Sequence, residues 1–456
     1  MINGGGLTIH DQKLIMRKIT YLLIAVAFVA CRKNDSPAFD KSADERINET
    51  LSKYQSVITG AADGWTATLV TKVGNTYSFY FRFNDSNRVV MYCDYDTTTA
   101  SVPAESSYRL KALQQPGLLF DTYSYIHLLA DPDPNVNGGI AGNGLVSDFE
   151  FSIDTVTTDS IVLTGRFNGS SAVLRKASPQ ERAAWENKQV GNTVKNFNSM
   201  GKILNYFKRL TYNSTEYELL NYPAYKTLMI TWLDGASTAH TVATPYFISA
   251  AGVQLKSPVV NGSQIIGGFT ITGWDDPTAT LKVNVNNTAA AIAGAIKPIN
   301  PDITAARRWW QTAADAQSNW ISANGFHVNG VDDAYGIKTL KTDTSTYYAL
   351  VYWAGIKPAT GPSFDAFTPY YYAPASNSVD WIYGTGQQPA FQSDGRLVLN
   401  YLGDLTAGPY PTSGPAFQTK QQLFITNGYW FVQTSATTYD MVSAKDAKAW
   451  ITWQRQ

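Results

Sequence analysis

Three pairs of neighbouring carboxylates are the first residues to test for chemistry: Asp148/Glu150, Asp275/Asp276 and Asp332/Asp333. Glycoside hydrolysis needs two carboxyl groups about 5–10 Å apart across the scissile bond. Asp148 and Glu150 alternate with Phe149 and Phe151, which puts both acids on the solvent face of a strand. Asp275 and Asp276 lie in a turn, Trp274-Asp275-Asp276-Pro277. All three pairs read as solvated surface features. No zinc-peptidase helix, serine nucleophile elbow, phosphate-binding loop or complete dinucleotide fingerprint accompanies them.

The loop Asp131, Asp133, Asn135, Asn137 sets oxygen ligands at alternate positions, the pattern a calcium ion takes. It departs from the helix-loop-helix site, with Val136 where glycine turns the loop and Gly142 where a bidentate glutamate belongs. A polar turn is the plainer reading, and calcium is the one cofactor the sequence offers. The histidines are scattered; His127 lies in a strand-like apolar run, Tyr125 to Leu129, and reads as a hydrogen-bonded structural residue. The aromatic residues point to binding. Tyr370, Tyr371 and Tyr372, with Trp381 nearby, stand among prolines outside clear strand alternation. Three consecutive tyrosines cannot all face one core, so at least one can offer a flat ring to a sugar.

Cys31 carries a different chemistry. Met16-Arg17-Lys18, an apolar run Ile19 to Ala30 and then the cysteine form a signal peptide ending at a lipidation site. A dozen residues span about 18 Å as a helix, short of the hydrocarbon core. Residues 1–30 are therefore expected to be removed, with translation starting at Met16. Lipid on Cys31 would hold the protein to a membrane. Cys93 then has no disulfide partner and, on the face of Val89 and Met91, reads as a core residue.

The elements that must position these residues are mostly strands. The chain is 44% hydrophobic and 16% charged, with 36 basic and 36 acidic residues. This balance argues against nucleic acid, which selects a basic excess. The 27 Tyr, 20 Phe and 12 Trp suit half-buried pleated surfaces. The expected class is α+β, predominantly antiparallel β, with two similar β domains, flanking helices and a C-terminal β-rich segment. A lipidated tether, 31–38, leads to a helix and β domain over 39–176. A helical connector, 177–194, opens with the capping box Ser178/Glu181. A second β domain covers 195–295, and a helix followed by a β-rich domain fills 296–456. Gly117–Phe120, Asp148–Phe151 and Ser160–Leu163 have counterparts in Gly252–Leu255, Gly268–Ile271 and Ala279–Val283, which marks a duplication. In the last segment, a helix capped by Asp302 runs to Asn324-Gly325 and carries Trp309, Trp310 and Trp320 as packing residues. There Asn427-Gly428 predicts a hairpin joining Leu423–Thr426 to Tyr429–Val432.

The tether, the helix from Phe39 to Ala62 ending in Gly64-Trp65, and the block Phe120-Asp121-Thr122-Tyr123, Asp131-Pro132 and Asp148-Phe149-Glu150-Phe151 resemble an uncharacterised lipoprotein family of Bacteroidota, catalogued as a domain of unknown function. The resemblance covers most of residues 38–290. It implies an outer-membrane lipoprotein, at the cell surface or on the periplasmic face, beside a starch-utilisation-type transporter. Its expected work is capture of an oligosaccharide or peptide without catalysis. A hydrolase using one of the carboxylate pairs, and a structural or adhesive envelope protein, are the competing readings.

Overall fold

The computed structural model describes residues 16–20, 41–112, 115–405 and 410–455. Cys31 and the signal-peptide core lie outside the described residues. The chain divides into two compact units, Met1–Tyr54 and Gln55–Gln456. In the first, Ser42 and Glu45 form the expected capping box, with Ser42 N donating to Glu45 Oε2 (2.9 Å) and Glu45 N to Ser42 Oγ (3.2 Å). The helix they open, Ala43–Thr59, is shorter than the sequence predicts.

The second unit has the expected class: α+β, mostly antiparallel, with two similar barrels, short flanking helices and a larger C-terminal sheet. Eight strands between Trp65 and Lys176 pair in chain order, and the first closes on the last, Trp65 opposite Lys176. Eight more between Phe207 and Ala295 do the same. Closure leaves neither ring with a free edge. The three repeated sequence segments fall on the fifth, sixth and seventh strands of each barrel.

Alternation fills the first barrel. Tyr77, Phe79, Phe81 and Phe83 point inward, with Phe81 5.6 Å from Phe120 and Phe83 4.9 Å from Tyr108 between ring centroids. Cys93 is fully buried, opposite Phe79. Period-two alternation of Tyr77, Phe79, Phe81 and Phe83 with Ser78, Tyr80 and Arg82 predicts the latter three on a solvent face, yet Ser78 and Tyr80 are buried. The second barrel and the connecting helices cover them. Ser78 Oγ donates to the carbonyl of Ile248, and Tyr80 joins the core cluster that the connecting helices share with the second barrel.

The C-terminal sheet has ten strands. Its first long pairing, Asn319–Ser322 with Thr346–Ile356, is matched by a second between Asn319–Ser322 and the last strand, Ala449–Arg455 (Trp320 opposite Arg455). The strand order therefore returns to its start, and eight of the ten strands repeat the up-and-down circuit of the barrels. Trp309, on the helix Ala305–Ala316, inserts among Trp320, Tyr352, Phe431 and Trp453, which come from different sides of that circuit.

Two expectations are corrected in this segment. The helix stops at Gln317, whose φ is +49°, so Trp320 is on a strand rather than a helix. The hairpin at Asn427-Gly428 is absent: residues Gly414–Leu423 are a helix, opened by Pro415 in its first turn. Gly428 serves a different turn. Its φ is +70°, and a Cβ there would come within 2.5 Å of the Leu397 carbonyl.

Candidate functional site

A cleft of about 590 Å³ lies on the outer face of the C-terminal sheet. The strand Phe364–Ala373 supplies Phe364, Ala366, Thr368 and Tyr370 to it from alternate positions. Trp353 stands directly opposite Ala366 on one side, and Trp381 opposite Tyr370 on the other. Cross-strand neighbours share a face, so Trp353, Tyr370 and Trp381 line one apolar wall. Trp381 is 39% exposed. Gln317, Ser318 and Lys357 add polar groups. Among the described residues, no Asp or Glu lines this cleft.

A buried carboxylate beneath the sheet shapes the wall. Asp365 points to the opposite face and accepts hydrogen bonds from Trp310 Nε1 (2.9 Å), Tyr352 OH (2.5 Å) and Gly355 N (2.7 Å). The last bond fixes the register shift between Trp353 and Ile356. Gly355 has a φ of +65° and lies close to Ala314 and Trp310, where a side chain would be strained. Burial raises the Asp365 pKa, with no cation among its hydrogen-bond donors to offset it.

Two hydroxyls on the cleft wall are left without partners. Thr368 Oγ1 and Ser318 Oγ are buried atoms with no hydrogen bond of ordinary geometry, Thr368 having only a looser contact with the Tyr370 side chain. Tyr370 is the neighbour of Thr368, and burial raises its pKa. A buried hydroxyl with no partner costs about 1–3 kcal/mol, so a ligand hydroxyl that reached it would recover that cost.

The four aromatic residues singled out in the sequence do not act together. Tyr370 and Trp381 line the cleft. Tyr371 faces the other side, is buried, and shares a 2.7 Å hydrogen bond with Tyr383. Tyr372 donates to Asn377 Oδ1 and lies outside the cleft. The run also belongs to a regular strand, not to an irregular loop. Trp353, Phe364 and Thr368 were not predicted, because their place in the cleft depends on register between strands.

The Asp131 loop spends its side chains on its own turns. Asp131 accepts from Tyr123 OH and Asp133 N; Asp133 accepts from Asn135 N and Nδ2. Asn137 donates inward to the carbonyls of Leu128 and Asp131. Among the described residues, no group of three or more His, Cys, Asp or Glu is placed to hold a metal. His127 lies in a short helix, Tyr125–Leu128, rather than a strand. Its Nδ1 accepts from Ser124 N, its Nε2–H meets the Phe120 carbonyl, and burial lowers its pKa.

The carboxylate pairs also separate. Asp148, expected on a solvent face, is 3% exposed; its carboxylate accepts from Phe167 N, Asn168 N, Ser170 N and Ser170 Oγ. Glu150 pairs with Arg166 at 3.3 Å. Asp275 accepts from Thr278 and Asp276 from Trp274 Nε1. Asp332 meets His327 Nδ1, while Asp333 accepts from Ile337 N and Lys338 N.

Together these features define an antiparallel barrel protein with an aromatic cleft on its third β segment. A family model described as Domain of unknown function (DUF4302) matches residues 35–273, just over half of the chain, and the chain belongs to that family. The match spans the first barrel and most of the second, and the cleft lies beyond it. None of the curated proteins matches the sequence. A solved structure of a protein of unknown function from the DUF3598 family, from Nostoc punctiforme, is 10% identical over 72% of this chain and 96% of that one, with a TM-score of 0.12. That likeness carries no argument about fold or function.

Proposed function

We propose that this chain is an envelope-anchored lipoprotein that captures an oligosaccharide, without cleaving it, beside an outer-membrane transporter. The observation that carries the binding reading is the wall of Trp353, Tyr370 and Trp381 on one sheet face, with the unpaired hydroxyls of Thr368 and Ser318 beside it. A pyranose has both an apolar C–H face, which stacks on such rings, and hydroxyls that pair with such oxygens. That no carboxylate lines the cleft among the described residues favours binding over a two-carboxylate hydrolysis. The anchor rests on the sequence from Met16 to Cys31, and the transporter partner on the family resemblance.

Affinity electrophoresis of the purified full-length protein through gels containing amylopectin, xylan, mannan or pectic galactan tests the reading. Retardation by at least one glycan is expected, with a tenfold or greater loss in a Trp353→Ala/Trp381→Ala variant. Free migration in all four gels would sink it. Mass spectrometry of the mature N-terminus tests the anchor, which an unmodified Cys31 would rule out.

A further inference from the structure

We infer that the loop end of the first barrel carries a second site for a neutral sugar ring, an inference that rests on the carbohydrate reading above. In an up-and-down barrel, the connections after the fifth and seventh strands emerge at the same end. Here they are the long segment between Phe120 and Glu150 and the turn between Gly165 and Ser171. They enclose a cleft of about 490 Å³, lined by Asn143, Ser147, Phe149, Glu150, Arg166 and Phe167, among others.

The turn is built to hold its shape. Four donors from Phe167, Asn168 and Ser170 converge on the buried Asp148 carboxylate, and Asn168 Nδ2 donates to the Ser147 carbonyl at 2.6 Å. The tip so fixed displays Phe167, which is 94% exposed. Exposing a phenyl ring on a clamped turn contributes nothing to folding. Across the cleft, Phe149 is partly exposed and its ring is backed by His127 at 4.6 Å between centroids. The Ser147 hydroxyl, in a residue 1% exposed, is unpaired.

The chemistry of the occupant follows by elimination. Arg166 is neutralised by Glu150, so no net charge selects a phosphate or a carboxylate. Asp148 has all four of its bonds made, so no carboxylate there is free to hold a cation. A peptide added as an extra strand would need an open sheet edge, and the ring is closed. A neutral ligand with an apolar face and several hydroxyls matches what remains: phenyl rings, an unpaired hydroxyl and polar rims. Two such sites on one chain would bind a polysaccharide with avidity that neither has alone.

The same four glycan gels, run with the full-length chain, separate the outcomes. A Phe149→Ala/Phe167→Ala variant should lose at least tenfold in retardation while a Trp353→Ala/Trp381→Ala variant keeps residual binding, and the two combined should abolish it. Ser147→Ala should weaken retardation several-fold with an unchanged or higher thermal midpoint, which a merely structural serine would not give. Wild-type retardation in the phenylalanine variant overturns this site, whatever the tryptophan variant does. The reverse pattern overturns the C-terminal cleft and leaves this site standing; free migration of the wild type overturns both.

Discussion

The indole nitrogen of Trp320 donates a 2.9 Å hydrogen bond to the carbonyl of Trp309, across eleven residues of sequence. Trp65 does the same to Ile58 at 2.8 Å. Each donor is in the first strand of its ring of strands, and each acceptor is in the helix just before it. The indole thus ties a helical residue of the same compact unit to the ring it precedes. In the second barrel the first strand opens at Phe207, which has no such donor. Phenylalanine at either position keeps an apolar ring but removes the donor and leaves a small void. Trp320→Phe and Trp65→Phe should each lower the unfolding free energy by about 1–3 kcal/mol, measured by urea denaturation. A change within error would show that these bonds do not couple helix to ring.

The repeated segments exposed the first two barrels because their fifth to seventh strands kept similar sequences. The third circuit was hidden. Its closing pair, Trp320 and Arg455, is separated by nearly the whole segment, and added elements such as Ser378–Trp381 and Gly414–Leu423 interrupt the strand rhythm. Ser78 and Tyr80 misled for a related reason: period-two alternation reports one barrel's interior and is blind to a neighbour that covers its outside. Tyr370 and Trp381 were legible as unusual aromatics, yet Trp353 and Thr368 became part of a site only through register.

Between the first two barrels, Lys226 Nζ meets Asp94 Oδ2 at 2.6 Å, and both side chains are buried. Asp94 also accepts from Ser78 N (2.9 Å) and Ile248 N (2.6 Å), so it serves groups from both barrels. Lys226 has softer support, including the Tyr77 ring at 4.5 Å. Removing Asp94 strands a buried ammonium and two amides; removing Lys226 strands one carboxylate that keeps both amides. Asp94→Ala should therefore cost about 3–5 kcal/mol, and Lys226→Met clearly less. Equal costs, or the reverse order in denaturant melts, would refute this asymmetry.

His127 should make stability depend on pH. Burial holds its pKa below the ordinary 6.5, and its Nδ1 already accepts a proton donor from Ser124 N. The unfolded chain therefore binds a proton at this site before the folded one does. Its contribution is complete above pH 6.5 and is lost as pH falls through the folded pKa. The slope attributable to it can approach 1.36 kcal/mol per pH unit. Unfolding free energies between pH 7.5 and 5 should fall more steeply in the wild type than in His127→Gln. Parallel slopes would count against the assignment.

Thr368 offers the sharpest separation of binding from folding. Its hydroxyl is buried and unpaired, so replacing it with the similarly shaped valine removes a polar atom that the free protein never satisfies. Thr368→Val should leave stability unchanged or raise it by about 1 kcal/mol. The same change should weaken glycan retardation several-fold, because the ligand loses the group that repaid its desolvation. Trp381→Ala, at a partly exposed position, should shift stability by no more than about 0.5 kcal/mol while removing most of the binding. Opposite signs for stability and affinity at Thr368 are what a ligand-facing hydroxyl requires. If Thr368→Val instead destabilises the fold and leaves retardation intact, the hydroxyl belongs to Tyr370 beside it, and the cleft loses one of its two unpaired hydroxyls.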